Sequence, residues 1–389
     1  MQTYARIDVA VDHGEGAYLW ATDGRRFLDF TSGIAVNALG HCHPHLVAAL
    51  REQAGKVWHT SNIFRIPGGE RLAERLVAAT FADRVFFCNS GLEAFEAANK
   101  LTRKYFDDNG QPDRWRIIAC TSSFHGRSLA AIAAAGNEKY LAGFAPHVPG
   151  FTHVAFGNLN ETRAAITDET AAILVEPVQG EGGLRTGTDD YLRSLRQVCD
   201  EYGLLLIYDE VQCGMGRTGK LFAHEWSGVT PDIMMVAKGL GGGFPIGAIL
   251  ATEKVAASFG PGNHGTTFGG NPLAMACGNA VLDVMLADGF LDQVNEAAAR
   301  LHAGLEGLVR RHPGVVSEAR GKGLLAGLRC VVPNTEFIAR ARANGLLIVG
   351  AGDNVVRIMP PLIVKAAEVD AGLEILEGTC ADLAQAAAE

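Results

Sequence analysis

Short runs of apolar and β-branched residues punctuate the chain at positions 85–88, 117–121, 172–175, 204–208, 233–237 and 247–251. An unbroken apolar run too short to be a helix is the pattern of a strand buried on both faces. Between these runs, stretches such as 69–79 and 191–202 return an apolar residue every three or four positions, the period of a helix laid on a core. Strands alternating with helices predict an α/β unit built on a largely parallel sheet, and residues 45–270 are read as this large domain. After Asn271 the pattern changes. A long amphipathic helix carrying Leu291, Val294, Leu301, Leu305 and Leu308 leads to short strands at 323–331, 346–349 and 355–358. Residues 271–389 are read as a smaller C-terminal α/β domain, joined by an N-terminal segment, residues 1–44. The apolar stripe of the long helix is expected to face a core rather than a partner.

Composition narrows the function classes. Of 389 residues, 48% are hydrophobic and 20% charged, enough to build more than one core. The formal charge is −9 and no polybasic block occurs, so the chain lacks the electrostatic footprint of a nucleic-acid binder. Positions 1–10 contain Arg6 and Asp8 and no continuous apolar stretch, unlike a secretory signal, and no segment has the length of a charge-free membrane span. Eight cysteines stand singly along the chain, which fits reduced thiols in a cytoplasm better than a disulfide scaffold. A cytoplasmic protein acting on small molecules is the expectation.

The chemistry gathers where strands are expected to end. Open α/β sheets place ligands beyond the carboxyl ends of their strands. Asp209-Glu210-Val211-Gln212 follows a wholly apolar run, so Asp209 should face such a crevice. The run 233–237 ends in Lys238, followed by Gly239 and Gly241-Gly242-Gly243. A lysine closing a buried strand is costly to desolvate unless it is paired or chemically used. An aldehyde cofactor with a ring nitrogen, pyridoxal 5'-phosphate (PLP), accounts for both residues: a Schiff-base lysine and an acid facing the pyridinium. As plain structure, Asp209 is a strand-end cap and Lys238 a surface lysine. The run 85–88 leads into Asn89-Ser90-Gly91-Leu92-Glu93, where Ser90 and Glu93 have the spacing of a capping box, and a helix start of this kind suits a phosphate. Phe124-His125-Gly126-Arg127 follows the run 117–121, placing Phe124 to stack on a ring and Arg127 to meet a carboxylate. Arg357 closes the run 355–358, and Glu181 in the turn Gly180-Glu181-Gly182-Gly183 is a candidate counter-charge. His41-Cys42-His43-Pro44-His45 is not read as a metal site, because adjacent residues seldom converge on one ion and no second ligand group with zinc spacing follows.

Taken in order, Gly16-Ala17-Tyr18-Leu19-Trp20, Gly40-His41-Cys42-His43-Pro44, Asn89-Ser90-Gly91, Phe124-His125-Gly126-Arg127, Glu176-Pro177-Val178-Gln179-Gly180-Glu181-Gly182-Gly183, Asp209-Glu210-Val211-Gln212, Lys238 and Gly265-Thr266-Thr267-Phe268-Gly269-Gly270-Asn271-Pro272 span nearly the whole chain. In this order they resemble the class III PLP-dependent aminotransferases of fold type I, and among these most of all the acetylornithine branch. The resemblance implies a large domain with a mainly parallel seven-stranded sheet, a smaller α/β domain, and a homodimer with shared active sites. It implies that Lys238 carries PLP and shuttles protons, Asp209 holds the pyridine nitrogen, Gln212 lies near the ring hydroxyl and Phe124 stacks on the ring. Ser90, Gly91 and Leu92 form the phosphate cradle, which Thr267 reaches from the neighbouring subunit. Arg127, with Thr266 nearby, holds the α-carboxylate of N2-acetyl-L-ornithine; Arg357 binds that of glutamate or 2-oxoglutarate, masked by Glu181 for the other substrate. Leu92 stands where many relatives have threonine, so a hydroxyl contact to phosphate is lost. Ile34 stands where ornithine aminotransferases carry a tyrosine, which argues against free ornithine. The implied reaction moves the distal amino group of N2-acetyl-L-ornithine to 2-oxoglutarate; the alternatives are succinylornithine, N-succinyl-diaminopimelate, ornithine or 4-aminobutyrate as donor, a PLP aminomutase or decarboxylase, and a non-catalytic nucleotide-binding module.

Overall fold

A computed structural model describes residues 1–386; residues 387–389, the end of the alanine-rich tail, lie outside the described residues. Seven strands form the central sheet in the order Arg84–Cys88, Gly247–Ala251, Ile233–Val236, Leu205–Asp209, Thr170–Val175, Arg116–Cys120 and Phe151–Val154. Gly247–Ala251 runs antiparallel to both its neighbours, and the remaining pairs are parallel. The mainly parallel seven-stranded sheet is therefore as expected. Six of its strands coincide with the apolar runs. The seventh, Phe151–Val154, was not anticipated: it lies at the sheet edge, where Thr152 and His153 break the apolar run.

Strand alternation divides the sheet between two layers of helix. Leu205 and Ile207 face the helix Gly91–Asp108 through Ala94, Phe95, Ala98 and Leu101. Leu206 and Tyr208 face the helix Asp189–Tyr202 through Leu192, Leu195 and Val198. That both alternate sets are apolar explains why the strands read as unbroken runs.

A further apolar cluster is continuous from Met234, Val236, Ala248 and Leu250 on the sheet to Leu301, Leu305 and Leu308 on the helix Phe290–Arg311, and on to Leu328 and Val356. The stripe on the long helix is thus core, as expected. The C-terminal sheet is antiparallel, in the order Val316–Lys322, Leu325–Cys330, Val355–Ile358, Val349–Gly350. The expected strand 323–331 is only the second arm of a hairpin; its polar first arm, Val-Ser-Glu-Ala-Arg-Gly-Lys, carries little apolar signal. The expected strand 346–349 is divided. Leu346–Leu347 pairs with Arg26–Asp29 in an N-terminal sheet, whereas Val349–Gly350 joins the C-terminal one. This division ties the N-terminal segment to the C-terminal part. Among the described residues no single helix is long and apolar enough to cross a membrane.

Candidate active site

A cavity of about 470 Å³ opens at the carboxyl ends of the central strands, lined by Ser90, Gly91, Leu92, Phe124, Arg127, Glu176, Glu181, Asp209, Val211, Gln212 and Lys238 among others. Lys238 does not end the strand, as the apolar run had indicated. The strand stops at Val236, and Lys238 opens a 3-10 turn, Lys238–Leu240, with a left-handed φ of 46°. Such a conformation costs a residue with a Cβ about 1–2 kcal/mol, a strain that holds the side chain toward the cavity. Lys238 keeps some accessible surface because the cavity lies beside it, yet protein encloses its amine. Burial depresses the ammonium pKa, opposed first by the charge of Glu181 and seconded by Arg357. No carboxylate lies within ion-pair distance of it among the described residues, so the amine is poised rather than locked.

Asp209 ends the neighbouring strand and is 4% exposed. His125 Nδ1 lies 2.7 Å from its Oδ2, and the Val211 amide donates to Oδ1 at 3.0 Å. A proton on Nδ1 makes His125 the donor and stabilises the carboxylate. His125 is itself buried, stacked on Phe95 at 5.8 Å, with Nε2 unpartnered. This second residue behind Asp209 was missed; its signal was its place between Phe124 and Arg127 in a segment already picked out.

The helix Gly91–Asp108 begins at the cavity with Ser90 as its N-cap. Ser90 Oγ accepts from the Glu93 amide at 3.2 Å and donates to Glu93 Oε2 at 3.1 Å. The capping box is shifted by one residue, because Glu93 receives the amide of Asn89, at 2.8 Å, instead of that of Ser90. The Ser90 hydroxyl is thereby committed within the protein, while the first-turn amides of Gly91 and Leu92 have no intrahelical acceptor. A Cβ on Gly91 would lie 2.7 Å from Val211 Cγ1, so glycine is what lets the helix start approach that wall.

Arg357, 3% exposed in its side chain, and Glu181 meet at 2.5 Å; Arg357 also donates to the Gly350 carbonyl at 2.9 Å and lies 3.4 Å from Gln212 Oε1. The pair that sequence could only nominate is formed. Arg127 is different: exposed, without a carboxylate partner among the described residues, its guanidinium lies 3.9 Å above the Tyr140 ring and 5.7 Å from that of Phe124. Four expected residues are not among those lining the cavity: Arg357, whose partner Glu181 does line it, and Thr266, Thr267 and Ile34. Thr266 Oγ1 is held by the Gly269 amide at 3.0 Å and Asn89 Nδ2 at 3.4 Å, Thr267 is exposed beyond it, and Ile34 is 40% exposed. Val36 lines the cavity instead, two residues past Ile34 in a left-handed turn. His41 is paired with Asp29 and His45 with Asp283, each at 2.8 Å, and no group of three or more metal-ligating side chains gathers among the described residues.

These features fit PLP. An enclosed amine, an acid held by a histidine, unclaimed amides at a helix start, and the apolar flanks Val211 and Phe124 are the donors and walls such a cofactor requires. The family model of class-III aminotransferases matches residues 2–380. The chain belongs to the class-III aminotransferases. These are PLP-dependent enzymes, and this class-III aminotransferase is accordingly one. It is 58% identical over 387 residues to the acetylornithine aminotransferase of Mesorhizobium japonicum, covering 100% of this chain and 97% of that one. It is similar to the solved N-acetylornithine aminotransferase of Stenotrophomonas maltophilia, 39% identical with a TM-score of 0.86, covering 98% of each chain. The ornithine aminotransferase of Toxoplasma gondii is 30% identical with a TM-score of 0.95, covering 99% of this chain and 93% of that one. The ornithine enzyme shares the fold, while identity is higher to the two acetylornithine aminotransferases just named.

Proposed function

We propose that this class-III aminotransferase transfers the distal amino group of N2-acetyl-L-ornithine to 2-oxoglutarate, giving N-acetyl-L-glutamate 5-semialdehyde and L-glutamate, a step of arginine biosynthesis. The observation that carries the proposal is the contrast between two arginines, Arg357 masked by Glu181 at 2.5 Å and Arg127 without an acid partner at the cavity edge. A donor that presents its distal amine needs one carboxylate site, and Arg127 offers it. A dicarboxylate acceptor needs a second, which appears when Glu181 releases Arg357. One cavity thus serves two substrates of different shape.

The cofactor-binding residues are assigned on the same grounds. Gly91 and Leu92 would hold the phosphate through their amides, Ser90 orders that turn, Asp209 would hold the ring nitrogen, Gln212 would sit near the ring hydroxyl, and Phe124 and Val211 would enclose the ring. PLP, when bound, supplies an aldehyde that joins an amine and a ring that withdraws electrons from the adjoining C–H bond. Lys238 Nζ would hold and move the proton at the reacting carbon; burial, which lowers its pKa, favours the neutral amine. Asp209, held in place by His125 at 2.7 Å, would supply the charge the ring needs.

A homodimer completes the proposal. Thr267 is exposed and does not line its own cavity, and the neighbouring chain segments expose Ile63 at 83%, Phe64 at 64%, Trp58 at 64% and Phe268 at 63%, large apolar side chains that a partner surface would cover. A second copy docked there would bring Thr267 to the phosphate of its neighbour. Steady-state kcat/KM with 2-oxoglutarate, compared across acetylornithine, succinylornithine, N-succinyl-diaminopimelate, ornithine and 4-aminobutyrate, tests the substrate: acetylornithine should lead. A value about tenfold below any rival would overturn the choice.

A further inference from the structure

Glu176 follows directly on the strand Thr170–Val175, beside the strand that ends in Asp209. It is 5% exposed and lines the cavity, and nothing in the proposed chemistry uses it. Among the described residues its side chain has one hydrogen bond, to backbone: the Phe124 amide donates to Oε2 at 3.2 Å. The next residue, His125, is the one bonded to Asp209 at 2.7 Å. Acids at the ends of two adjacent strands therefore pin two consecutive residues of one turn. That turn needs pinning: Ser122 has a φ of 62° and Gly126 one of 124°, and between them it carries Phe124 and His125, with Arg127 next.

We propose that Glu176 is a positioning residue, whose carboxyl oxygen fixes the Phe124 amide and so sets the aromatic wall and Arg127 against the cavity. The inference rests on the reading of Phe124 as a wall for the PLP ring. A buried carboxylate with a single hydrogen bond is expensive; the neutral carboxyl, with one oxygen accepting from the Phe124 amide and its O–H on the other, costs less to bury. Burial, reinforced by the charge of Asp209, holds the Glu176 carboxyl protonated well above the ordinary carboxylate range; the Phe124 amide and Lys238 pull the other way, and Glu181 adds to the rise. Glutamine keeps the accepting oxygen and the neutrality, so it is the conservative replacement; alanine leaves the Phe124 amide unpaired.

The test is PLP titration into the apoproteins of wild type, Glu176→Gln and Glu176→Ala, followed by visible absorbance, with thermal melting of each apoprotein and single-turnover rates for both half-reactions. Glu176→Ala should lose about tenfold in PLP affinity and slow the acetylornithine half-reaction, while Glu176→Gln stays within about threefold of wild type in both. Apoprotein melting should change far less than cofactor affinity does. Wild-type PLP affinity in Glu176→Ala would overturn the inference, as would a loss in Glu176→Gln equal to that in Glu176→Ala. Phe124→Leu is the separate control: unchanged PLP affinity there would reject Phe124 as the wall, whatever the Glu176 pair shows.

Discussion

Lys238 is held in a left-handed conformation that a lysine adopts only when its surroundings impose it, and among the described residues its amine has no acid within ion-pair distance. Lys238→Ala should therefore abolish turnover, with a loss of about 10³-fold or more, and borohydride should no longer attach PLP to the chain. Far-UV circular dichroism should remain that of wild type, because the side chain ends in a cavity rather than a core. The two arginines separate the half-reactions. Arg127→Ala should slow the acetylornithine half-reaction about 10–100-fold and spare that of glutamate, and Arg357→Ala should do the reverse, since each removes charged hydrogen bonds to one carboxylate. Stopped-flow spectra of each half-reaction read this directly; equal losses in both would contradict the division. Lys238 and Asp209 were legible in the sequence because a charged residue at the end of an apolar run is costly without a use. His125 and Glu176 were not, because a histidine and a glutamate between motif residues look like any others until burial and a partner are known.

Elements explain why the site is where it is. Glu210, next to Asp209, turns away from the cavity, and its two oxygens accept the amides of Ala223 and His224, the latter at 2.8 Å. Burial pushes its carboxyl up to about 8, against the pull of those two amides. The folded protein thus retains a proton that the unfolded chain gives up near pH 4.5, so Glu210's contribution to stability is full below that pH and declines as pH rises toward 8. Thermal midpoints measured from pH 5 to 9 should fall more steeply in wild type than in Glu210→Gln, where nothing titrates at that position. A second element-scale prediction concerns the helix start. Ser90→Ala should cost about 1 kcal/mol of stability through the lost N-cap and should weaken PLP retention, both measurable by denaturant titration of apoprotein and holoprotein. Interior strands and long helices were legible here because burial on both faces or on one stripe leaves a periodic signature. The edge strand Phe151–Val154 and the polar arm Val316–Lys322 were not, since exposure on one side permits polar residues that erase it.

Across the whole molecule, an N-terminal sheet is completed by Leu346–Leu347, and the same stretch of chain then supplies Val349–Gly350 beside the strand bearing Arg357. The proposed second carboxylate site at Arg357 is in this way joined through residues 346–350 to the sheet of the N-terminal segment. The exposed group Trp58, Ile63, Phe64 and Phe268 belongs to the same scale. Ile63→Asp or Phe268→Glu should dissociate the proposed dimer in sedimentation and lower PLP affinity, because Thr267 would lose its neighbour; a monomeric variant with unchanged cofactor affinity would reject the shared site. By itself the sequence determined the alternation of strand and helix, the apolar cores, and the presence of an acid at one strand end and a lysine just beyond another, all of which follow from local period and the cost of burying charge. Tertiary structure alone decided that Arg357 pairs with Glu181 across 176 positions, that His125 reaches Asp209 across 84, and that Glu176 meets Phe124 across 52. Such contacts leave no period in the chain; the last two exist because parallel strands set their carboxyl ends side by side, and the first because the antiparallel C-terminal sheet brings its Arg357 strand against the turn that carries Glu181.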